Sequence, residues 1–306
     1  MARLVLHRLF QAVFVVFGVS LLVYFILHLT GGDIAAGMLP DWATAEQVEQ
    51  FRREMGLDLP IHEQYLHWLG GVLHGDFGTS FRNDQPAMQL VAERFPATLR
   101  LALTAEALAL VVAFPMGVLA ALRRGSWWDR GCMALALLGQ SVPHFWLGLM
   151  LILVVAVNLR WLPVSGSEGP SYLVLPALTL ATAPLAQLAR LVRSGTLEML
   201  HRDFVRTARA KGLAERAVVS RHALRNALLP LVTVIGLELG TLLNGSVVVE
   251  SVFAWPGVGR VVVTALQQRD IPVVEAGVFL IAGLYITINL GVDLLYAAID
   301  PRVRYR

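Results

Sequence analysis

Long apolar segments separated by shorter polar stretches make up most of the sequence. Six of these segments are long enough to cross a bilayer, whose hydrocarbon core of about 30 Å requires about 20 apolar residues per helix. They cover residues 10–29, 97–122, 131–157, 173–193, 228–250 and 272–297. The pattern therefore predicts an all-α membrane protein with six transmembrane helices in a single domain over residues 1–306.

Composition and charge agree with a multi-span membrane protein. Hydrophobic residues make up 56% of the chain, charged residues make up 15%, and the mean hydropathy is +0.63. Of the 25 Lys and Arg residues, 17 lie before the first segment, between segments two and three, around the stretch between segments four and five, or after the sixth. Because such an excess marks the cytoplasmic side, both termini are predicted inside, and residues 31–96 form a soluble outer segment.

The outer segment contains two predicted short helices. Residues 44–47 read Thr-Ala-Glu-Gln, a capping-box pattern for a helix that should end at Gly56. A second helix over residues 62–73 carries Tyr65 and Trp68 on one side. We expect that side to lie on the membrane interface or on a neighbouring subunit.

The sequence lacks the patterns of a metalloenzyme or a hydrolase. His67 lies five residues after His62, whereas a zinc protease needs two histidines four residues apart on one helical face. Cys132 is the single cysteine, and no Gly-x-Ser-x-Gly or paired catalytic carboxylates occur. We expect no catalytic residues and no metal site.

Polar side chains inside the apolar segments are candidates for a translocation path. An ionisable group in lipid costs several kcal/mol unless it faces a bundle interior or water, although a hydrogen bond between packed helices would also explain it. Gln140 and His144 should share a helical face, while Pro115 and Pro143 should kink their helices. The candidates are Glu106, Gln140, His144, Glu238, Asn244, Asn289 and Asp293.

A turn is predicted between the fifth and sixth segments. The sequence Trp-Pro-Gly-x-Gly must bend sharply, and Trp255 suits the aromatic belt of the membrane interface. This turn is either an outer gate or a rigid connection. The gate candidates are Glu250, Trp255, Pro256, Gly257 and Gly259.

A dense block of charge over residues 194–230 interrupts the apolar pattern. It is predicted to form two short helices joined at Gly212, because glycine readily takes a positive φ and ends a helix. The block is either a docking element for a soluble partner or a loop that only fixes topology. Lys211 is the only lysine and follows Ala210, so the chain has no P-loop, and any ATP drive must come from another subunit.

The same block resembles the coupling loop of permeases of binding-protein-dependent ABC importers, in the dipeptide, oligopeptide and nickel branch. The resemblance rests on Arg206-Thr207-Ala208-Arg209-Ala210-Lys211-Gly212-Leu213 and on His222-Ala223-Leu224-Arg225-Asn226-Ala227-Leu228-Leu229-Pro230. The superfamily motif opens with Glu-Ala-Ala, whereas this chain has Thr207-Ala208-Arg209, as the peptide and nickel branch does, and keeps Gly212.

Further stretches along nearly the whole chain carry the same resemblance. Many members have Glu after Pro-Ala-Thr-Leu, where this chain has Arg100, so no carboxylate role is carried over to that position. The stretches are Gly75-Asp76-Phe77-Gly78-Thr79-Ser80, Pro96-Ala97-Thr98-Leu99, Phe253-Ala254-Trp255-Pro256-Gly257-Val258-Gly259-Arg260, Arg269-Asp270-Ile271-Pro272-Val273-Val274 and Asp300-Pro301-Arg302.

The resemblance implies a type I ABC importer permease in the bacterial inner membrane, with residues 31–96 periplasmic. It also implies four kinds of partner: a homologous second permease, two cytoplasmic ATPase subunits that use ATP and Mg²⁺, a periplasmic or lipid-anchored solute-binding protein, and the bilayer. No cofactor and no nucleic acid would bind this chain. The alternative from another class is a gradient-driven secondary transporter or channel.

The resemblance also implies roles for residues of the charged block. Arg206, Arg209 and Lys211 would enter a charged groove of an ATPase, and Phe204, Val205 and Leu213 would give the apolar contact. The implied ATPase-coupling residues are Phe204, Arg206, Thr207, Ala208, Arg209, Lys211, Gly212 and Leu213. Dipeptides, oligopeptides, glutathione, nickel and metal chelates are all expected cargoes of such relatives.

Overall fold

The computed structural model of the chain describes residues 2–30, 43–54 and 56–299. The polar residues 31–33 after the first segment, the C-terminal arginines and the Asp300-Pro301-Arg302 stretch lie outside the described residues. Its helices are α1 (Ala2–Thr30), α2 (Ala45–Glu54), α3 (Ile61–Leu73), α4 (Ala87–Ala92), α5 (Phe95–Leu122), α6 (Trp127–Ser141), α7 (His144–Leu151), π1 (Ile152–Asn158), α8 (Ser171–Leu200), α9 (Asp203–Ala210), α10 (Glu215–Ala217), π2 (Val218–Leu224), α11 (Arg225–Ala227), α12 (Leu229–Val252), α13 (Val258–Gln267) and α14 (Ile271–Ile299).

The membrane-spanning pattern follows the predicted segments. Within the described ranges, five helical stretches are long and apolar enough to cross a membrane, and a sixth appears when the bent pair of α6 with α7 and π1 is taken as one span. The all-α class and the six-segment pattern are therefore confirmed. Each segment is apolar and long enough to lie in lipid, where no water satisfies the backbone N–H and C=O groups. A helix forms because it satisfies these groups within the segment itself.

The third predicted span is sharply broken. Its two helices, Trp127–Ser141 and His144–Asn158, meet at 102°. Val142 between them is extended (φ −81°, ψ 123°), because a residue before proline avoids the helical region and Pro143 has no N–H to donate. Pro115, by contrast, lies inside the continuous helix α5.

The outer segment begins with the predicted capping box. The Thr44 backbone N–H donates to Gln47 Oε1 at 2.9 Å, and the Gln47 N–H donates to Thr44 Oγ1 at 3.3 Å. Helix α2 ends at Glu54, and Gly56 follows with a φ of +66°, as predicted.

The aromatic side of α3 packs inside the chain. Tyr65 is 5% exposed, and its hydroxyl lies 2.8 Å from Ser20 Oγ of α1. The Trp68 ring contacts Tyr24 of α1 at a centroid distance of 5.3 Å. The prediction that this side covers the membrane interface or a neighbouring subunit is therefore wrong, because α1 supplies the matching aromatic surface.

The chain forms two compact units. Both are assembled from parts of the chain that are far apart in sequence. The first unit is drawn from residues 1–98 and 256–287, and the second from residues 99–255 and 288–306.

Hydrogen bonds between distant parts of the sequence hold the first unit together. Ser80 Oγ donates to Asp270 Oδ2 at 2.5 Å, and the Phe81 N–H donates to Asp270 Oδ1 at 3.2 Å. The Val258 N–H, at the start of α13, donates to Thr98 Oγ1 at 2.8 Å. Ser80 and Asp270 belong to two of the stretches that carry the family resemblance, and Thr98 and Val258 belong to two others. These four stretches are thus joined in pairs by hydrogen bonds within this unit.

Small residues bring helices together in the second unit. A methyl group placed on Gly117 of α5 would lie 2.7 Å from the Ala189 carbonyl oxygen and 2.8 Å from Val192 Cβ, both on α8. A methyl group on Gly236 of α12 would collide with Val292 of α14. The missing side chain of Gly236 therefore lets α12 and α14 approach closely.

We predict that Gly117→Ala destabilises the protein by about 1–3 kcal/mol, because a backbone carbonyl cannot move aside for the added methyl group. Thermal unfolding in detergent measures this effect. Gly131→Ala on α6 is the matched control, since that position is open within 4 Å. A Gly117→Ala protein that unfolds at the same temperature as the control would show that this helix contact is not tight.

Candidate functional site

The charged block folds as a helix, a glycine turn and a second helical stretch. Helix α9 ends just before Gly212, which has a φ of +77° and donates its N–H to the Arg209 carbonyl at 2.9 Å. The predicted pair of helices joined at Gly212 is confirmed. However, α8 continues to Leu200, so residues 194–200 belong to the long helix rather than to a loop. We call residues 203–213 the coupling turn.

The coupling turn has a buried side. Val205 is 0% exposed and Ala208 is 5% exposed, and both pack against Val218 and Ala223 of π2. Positions three residues apart share one face of a helix, which explains why these two side chains point inward together. The expectation that Val205 supplies apolar contact to a partner is wrong, and Ala208 also lies inside the fold.

The opposite side of the coupling turn is exposed. Phe204 is 40% exposed and Leu213 is 44% exposed, so two large apolar side chains lie at the surface of the turn. Arg206, Thr207 and Lys211 are exposed beside them. The surface therefore combines apolar side chains with positive charge.

An ion pair spans the glycine turn. Arg209 Nη2 donates to Glu215 Oε1 at 2.6 Å, and Arg209 Nε donates to Glu215 Oε2 at 3.1 Å. These hydrogen bonds hold the pKa of Glu215 below its ordinary value and raise that of Arg209. Arg209 is thus engaged within the turn, whereas Lys211 makes no ion pair with any residue that the structure describes.

A second ion pair holds the long helix behind the coupling turn. Arg193 of α8 donates from Nε to Asp129 Oδ1 at 2.6 Å and from Nη2 to Asp129 Oδ2 at 2.8 Å. Asp129 lies in the first turn of α6, is 4% exposed and also accepts the Gly125 N–H at 2.9 Å. The pair fixes α8 to the start of α6 about three helical turns before the coupling turn begins.

Sequence reasoning missed this pair. Arg193 was visible as a cation at the end of an apolar segment, and Ser126 with Asp129 three residues later is a helix-start pattern. The Ser126 side chain does accept the Asp129 N–H. Their pairing was not predictable, because the two residues are 64 positions apart.

Two of the predicted path residues, Glu106 and Glu238, are buried in the second unit. Glu106 of α5 is 3% exposed, and neither of its carboxylate oxygens has a hydrogen-bond partner among the described residues. Glu238 of α12 is 9% exposed and is a second buried carboxylate of this unit. A buried carboxylate binds a cation or a proton more readily than it stays charged and alone.

Gln140 and His144 are not brought onto one face. The break at Pro143 separates them, so the predicted shared face is wrong. Gln140 is exposed, whereas His144 is half-buried and its Nδ1 lies 3.2 Å from the Thr179 carbonyl oxygen of α8. This contact gives His144 a packing role that needs no ligand.

The other path candidates have mixed surroundings. Asn244 of α12 is exposed, and Asn289 and Asp293 of α14 are half-buried. A path role for these residues stays a prediction.

The predicted outer turn is present, but Trp255 is not at its surface. The Trp255 N–H donates to the Glu250 carbonyl at 2.9 Å, and Ala254 between them has a φ of +51°. This tight turn directs Trp255 inward, where it is 2% exposed, and Glu250 is fully buried. The assignment of Trp255 to the interfacial belt is wrong. Gly257 and Gly259 are also buried, and Pro256 is half-buried.

Two family models match consecutive parts of the chain. Residues 113–305 match the family described as binding-protein-dependent transport system inner membrane component. Residues 1–102 match the N-terminal family of the same transport-system membrane components.

Curated relatives match over their whole length. The dipeptide transport system permease protein DppB of Escherichia coli (strain K12) is 41% identical over 338 aligned residues, with 100% of both chains covered. The glutathione transport system permease protein GsiC of the same strain is 42% identical over 306 residues, again with 100% of both chains covered.

Solved structures of the MetNI methionine ABC transporter in inward-facing conformations share the fold. Two crystal forms give TM-scores of 0.57 and 0.59 at 22% identity, covering 70% of this chain and 97% of the other. At this identity the likeness concerns the fold alone.

We predict that Arg193→Met destabilises the protein by about 3 kcal/mol, because it leaves the buried Asp129 carboxylate without its cation. Unfolding in detergent and the protease sensitivity of the coupling turn measure the effect. Arg202→Met is the matched control, since it breaks a pair with Glu198 in which both side chains are about 60% exposed. Equal stability of the two variants would contradict the role given to the Asp129–Arg193 pair.

Proposed function

We infer the finer function of this chain from the premise that it belongs to the family of binding-protein-dependent transport system inner membrane components and is a permease subunit of an ABC importer. We propose that it lies in a bacterial inner membrane as one permease domain with both termini in the cytoplasm and residues 31–96 in the periplasm. A homologous second permease completes the translocation path. The gradient-driven alternative is set aside, since the whole-length relatives are transport-system permeases.

The proposed coupling to an ATPase rests on the exposed face of the coupling turn. Phe204 and Leu213 expose apolar surface, and Arg206 and Lys211 place positive charge beside it. We propose that a cytoplasmic ATPase subunit binds this face in a groove with apolar walls and negative charge. ATP and Mg²⁺ then act on the ATPase subunits, and this chain binds neither.

The helix behind the coupling turn transmits the movement. Helix α8 runs from Ser171 through the membrane segment to Leu200, only two residues before the turn's helix begins. A displacement of the turn therefore reaches the membrane through one continuous element. The Asp129–Arg193 pair transmits the same displacement to α6, so α6 and α8 move together.

The buried carboxylates Glu106 and Glu238 are the proposed path residues with the most specific chemistry. A buried carboxylate prefers a cationic or hydrogen-bond-donating neighbour. The described residues supply no hydrogen bond to Glu106. The ammonium group of a peptide that moves along the translocation path supplies such a neighbour. The turn that includes Glu250 and Trp255 is proposed as a fixed outer closure, because both side chains are buried.

Short peptides are the proposed cargo. DppB and GsiC are named for dipeptide and glutathione transport, and both compounds are small peptides with a free amino group. A solute-binding protein outside the membrane delivers the cargo and sets most of the specificity. Titration of the cognate binding protein with dipeptides, glutathione and Ni²⁺ tests this. Tight binding of a peptide supports the proposal, and binding of Ni²⁺ or its chelates alone contradicts it.

We predict that Gly212→Pro uncouples ATP hydrolysis from uptake while membrane insertion stays intact. Proline fixes φ near −65° and removes the N–H that bonds to Arg209, so the coupling turn cannot keep its shape. Substrate-stimulated ATPase activity and peptide uptake of the reconstituted importer measure the effect, and we expect uptake to fall at least tenfold.

Gly75→Pro is the matched control for this experiment. Gly75 also follows a helix, has a φ of +84° and donates its N–H to the carbonyl three residues earlier at 2.9 Å. It lies in the outer segment, away from any cytoplasmic ATPase. Coupled uptake that survives Gly212→Pro, or that Gly75→Pro impairs equally, would refute the docking role of the turn.

A further inference from the structure

The first unit contains a cavity that the transport proposal does not use. It lies among the last turns of α1, the outer helix α3 and the start of α14, and its volume is about 590 Å³. This is within the size range of small-molecule sites. By the predicted orientation, the end of α1 and the start of α14 are on the outer side of the membrane. The aromatic residues of the lining are Tyr24, Trp68, Phe77 and Phe81.

A buried carboxylate with one unsatisfied oxygen lines this cavity. Glu275, in the second turn of α14, is 3% exposed, and its Oε1 has no hydrogen-bond partner among the described residues. The indole N–H of Trp68 lies beside the carboxylate but forms no hydrogen bond of normal geometry. His28 Nδ1 is 4.0 Å from Oε1 and instead bonds to the Tyr24 carbonyl oxygen at 2.8 Å.

This arrangement suits a cation in the cavity. A buried carboxylate that stays charged without a partner costs several kcal/mol in a folded protein, so it either takes up a proton or binds a cation. An ammonium group supplies three N–H donors and a positive charge. Aromatic rings attract the same charge through their faces, and the attraction is stronger where water is excluded.

The cavity also has a positive side chain at its rim. Arg53 of α2 is exposed and lines the same cavity as Glu275. Opposite charges on one lining suit a ligand that carries both charges, because each ligand charge then meets its complement. A single metal ion fits less well, since no group of three or more His, Cys, Asp or Glu side chains able to hold a metal occurs among the described residues.

We propose that this cavity binds the primary ammonium group of a small zwitterionic ligand, with Glu275 as the counter-ion and Trp68 as the aromatic wall. Two sources share this chemistry: a short peptide, and the ethanolamine headgroup of an outer-leaflet phospholipid. The peptide source rests on the proposed function, whereas the ammonium site itself does not.

Calorimetric titration of the full chain with its second permease tests the proposal, without ATPases or binding protein. The complex is held in phosphatidylglycerol nanodiscs and phosphate buffer, which contain no amine. We expect Ala-Ala to bind, and N-acetyl-Ala-Ala to bind at least tenfold more weakly. Glu275→Gln should weaken Ala-Ala binding at least tenfold, because the amide keeps the shape and loses the charge.

Two further sets of variants act as controls. Glu63→Gln removes an equal charge from an exposed position of α3 outside the cavity, and it should bind Ala-Ala like the unchanged chain. Trp68→Phe keeps an aromatic face and should bind nearly normally, whereas Trp68→Leu should bind several-fold more weakly. Size-exclusion chromatography confirms that each variant remains folded.

Mass spectrometry of the delipidated complex tests the lipid source. If Ala-Ala does not bind, but phosphatidylethanolamine stays bound and is lost in Glu275→Gln, the ammonium site stands and the lipid is its ligand. If neither ligand depends on Glu275 in a folded variant, the proposal is overturned.

Peptide uptake by the fully assembled importer separates this result from the proposed function. ATP-driven uptake together with absent ammonium binding would overturn only the cavity proposal. Glu275-dependent binding without ATP-driven uptake would leave the cavity proposal standing and contradict the transport function.

Discussion

The Asp129–Arg193 ion pair is the interaction on which the proposed coupling depends. A turn at the membrane surface can drive membrane helices only if the helix behind it moves with its neighbours rather than bending alone. Two short hydrogen bonds from one guanidinium fix both the distance and the orientation of α8 against α6. The close contact at Gly117 adds a steric constraint on the same part of α8, since α5 approaches α8 at Ala189 and Val192.

The coupling turn holds its shape without using the side chains on its outer side. Its buried side is closed by Val205 and Ala208 against π2, and the Arg209–Glu215 pair fixes the shape of the glycine turn. The exposed Phe204 and Leu213 are therefore not needed to hold the turn together. Exposed apolar side chains that do not contribute to the protein's own core are available to bind another protein.

Much of this organisation was predictable from the sequence because it is local. Apolar length predicted the spans, a reciprocal cap predicted α2, and the backbone freedom of glycine predicted the turn at Gly212. The errors concern which way side chains face. Tyr65 and Trp255 are buried because of residues that pack on them or turns that redirect them, which periodicity does not reveal. The partners of Asp129 and Ser80 are distant in sequence, so no spacing rule could pair them.

Site-specific photo-crosslinking tests the central claim, that the exposed side of the coupling turn binds an ATPase subunit. A photoreactive side chain replaces Phe204 or Leu213 in the assembled, ATP-hydrolysing importer, and Leu73 of α3, which is 78% exposed in the outer segment, serves as the control position. We expect adducts with the ATPase from positions 204 and 213, in amounts that change when ATP binds, and none from position 73. An active complex that gives no ATPase adduct from either position of the turn would contradict this claim.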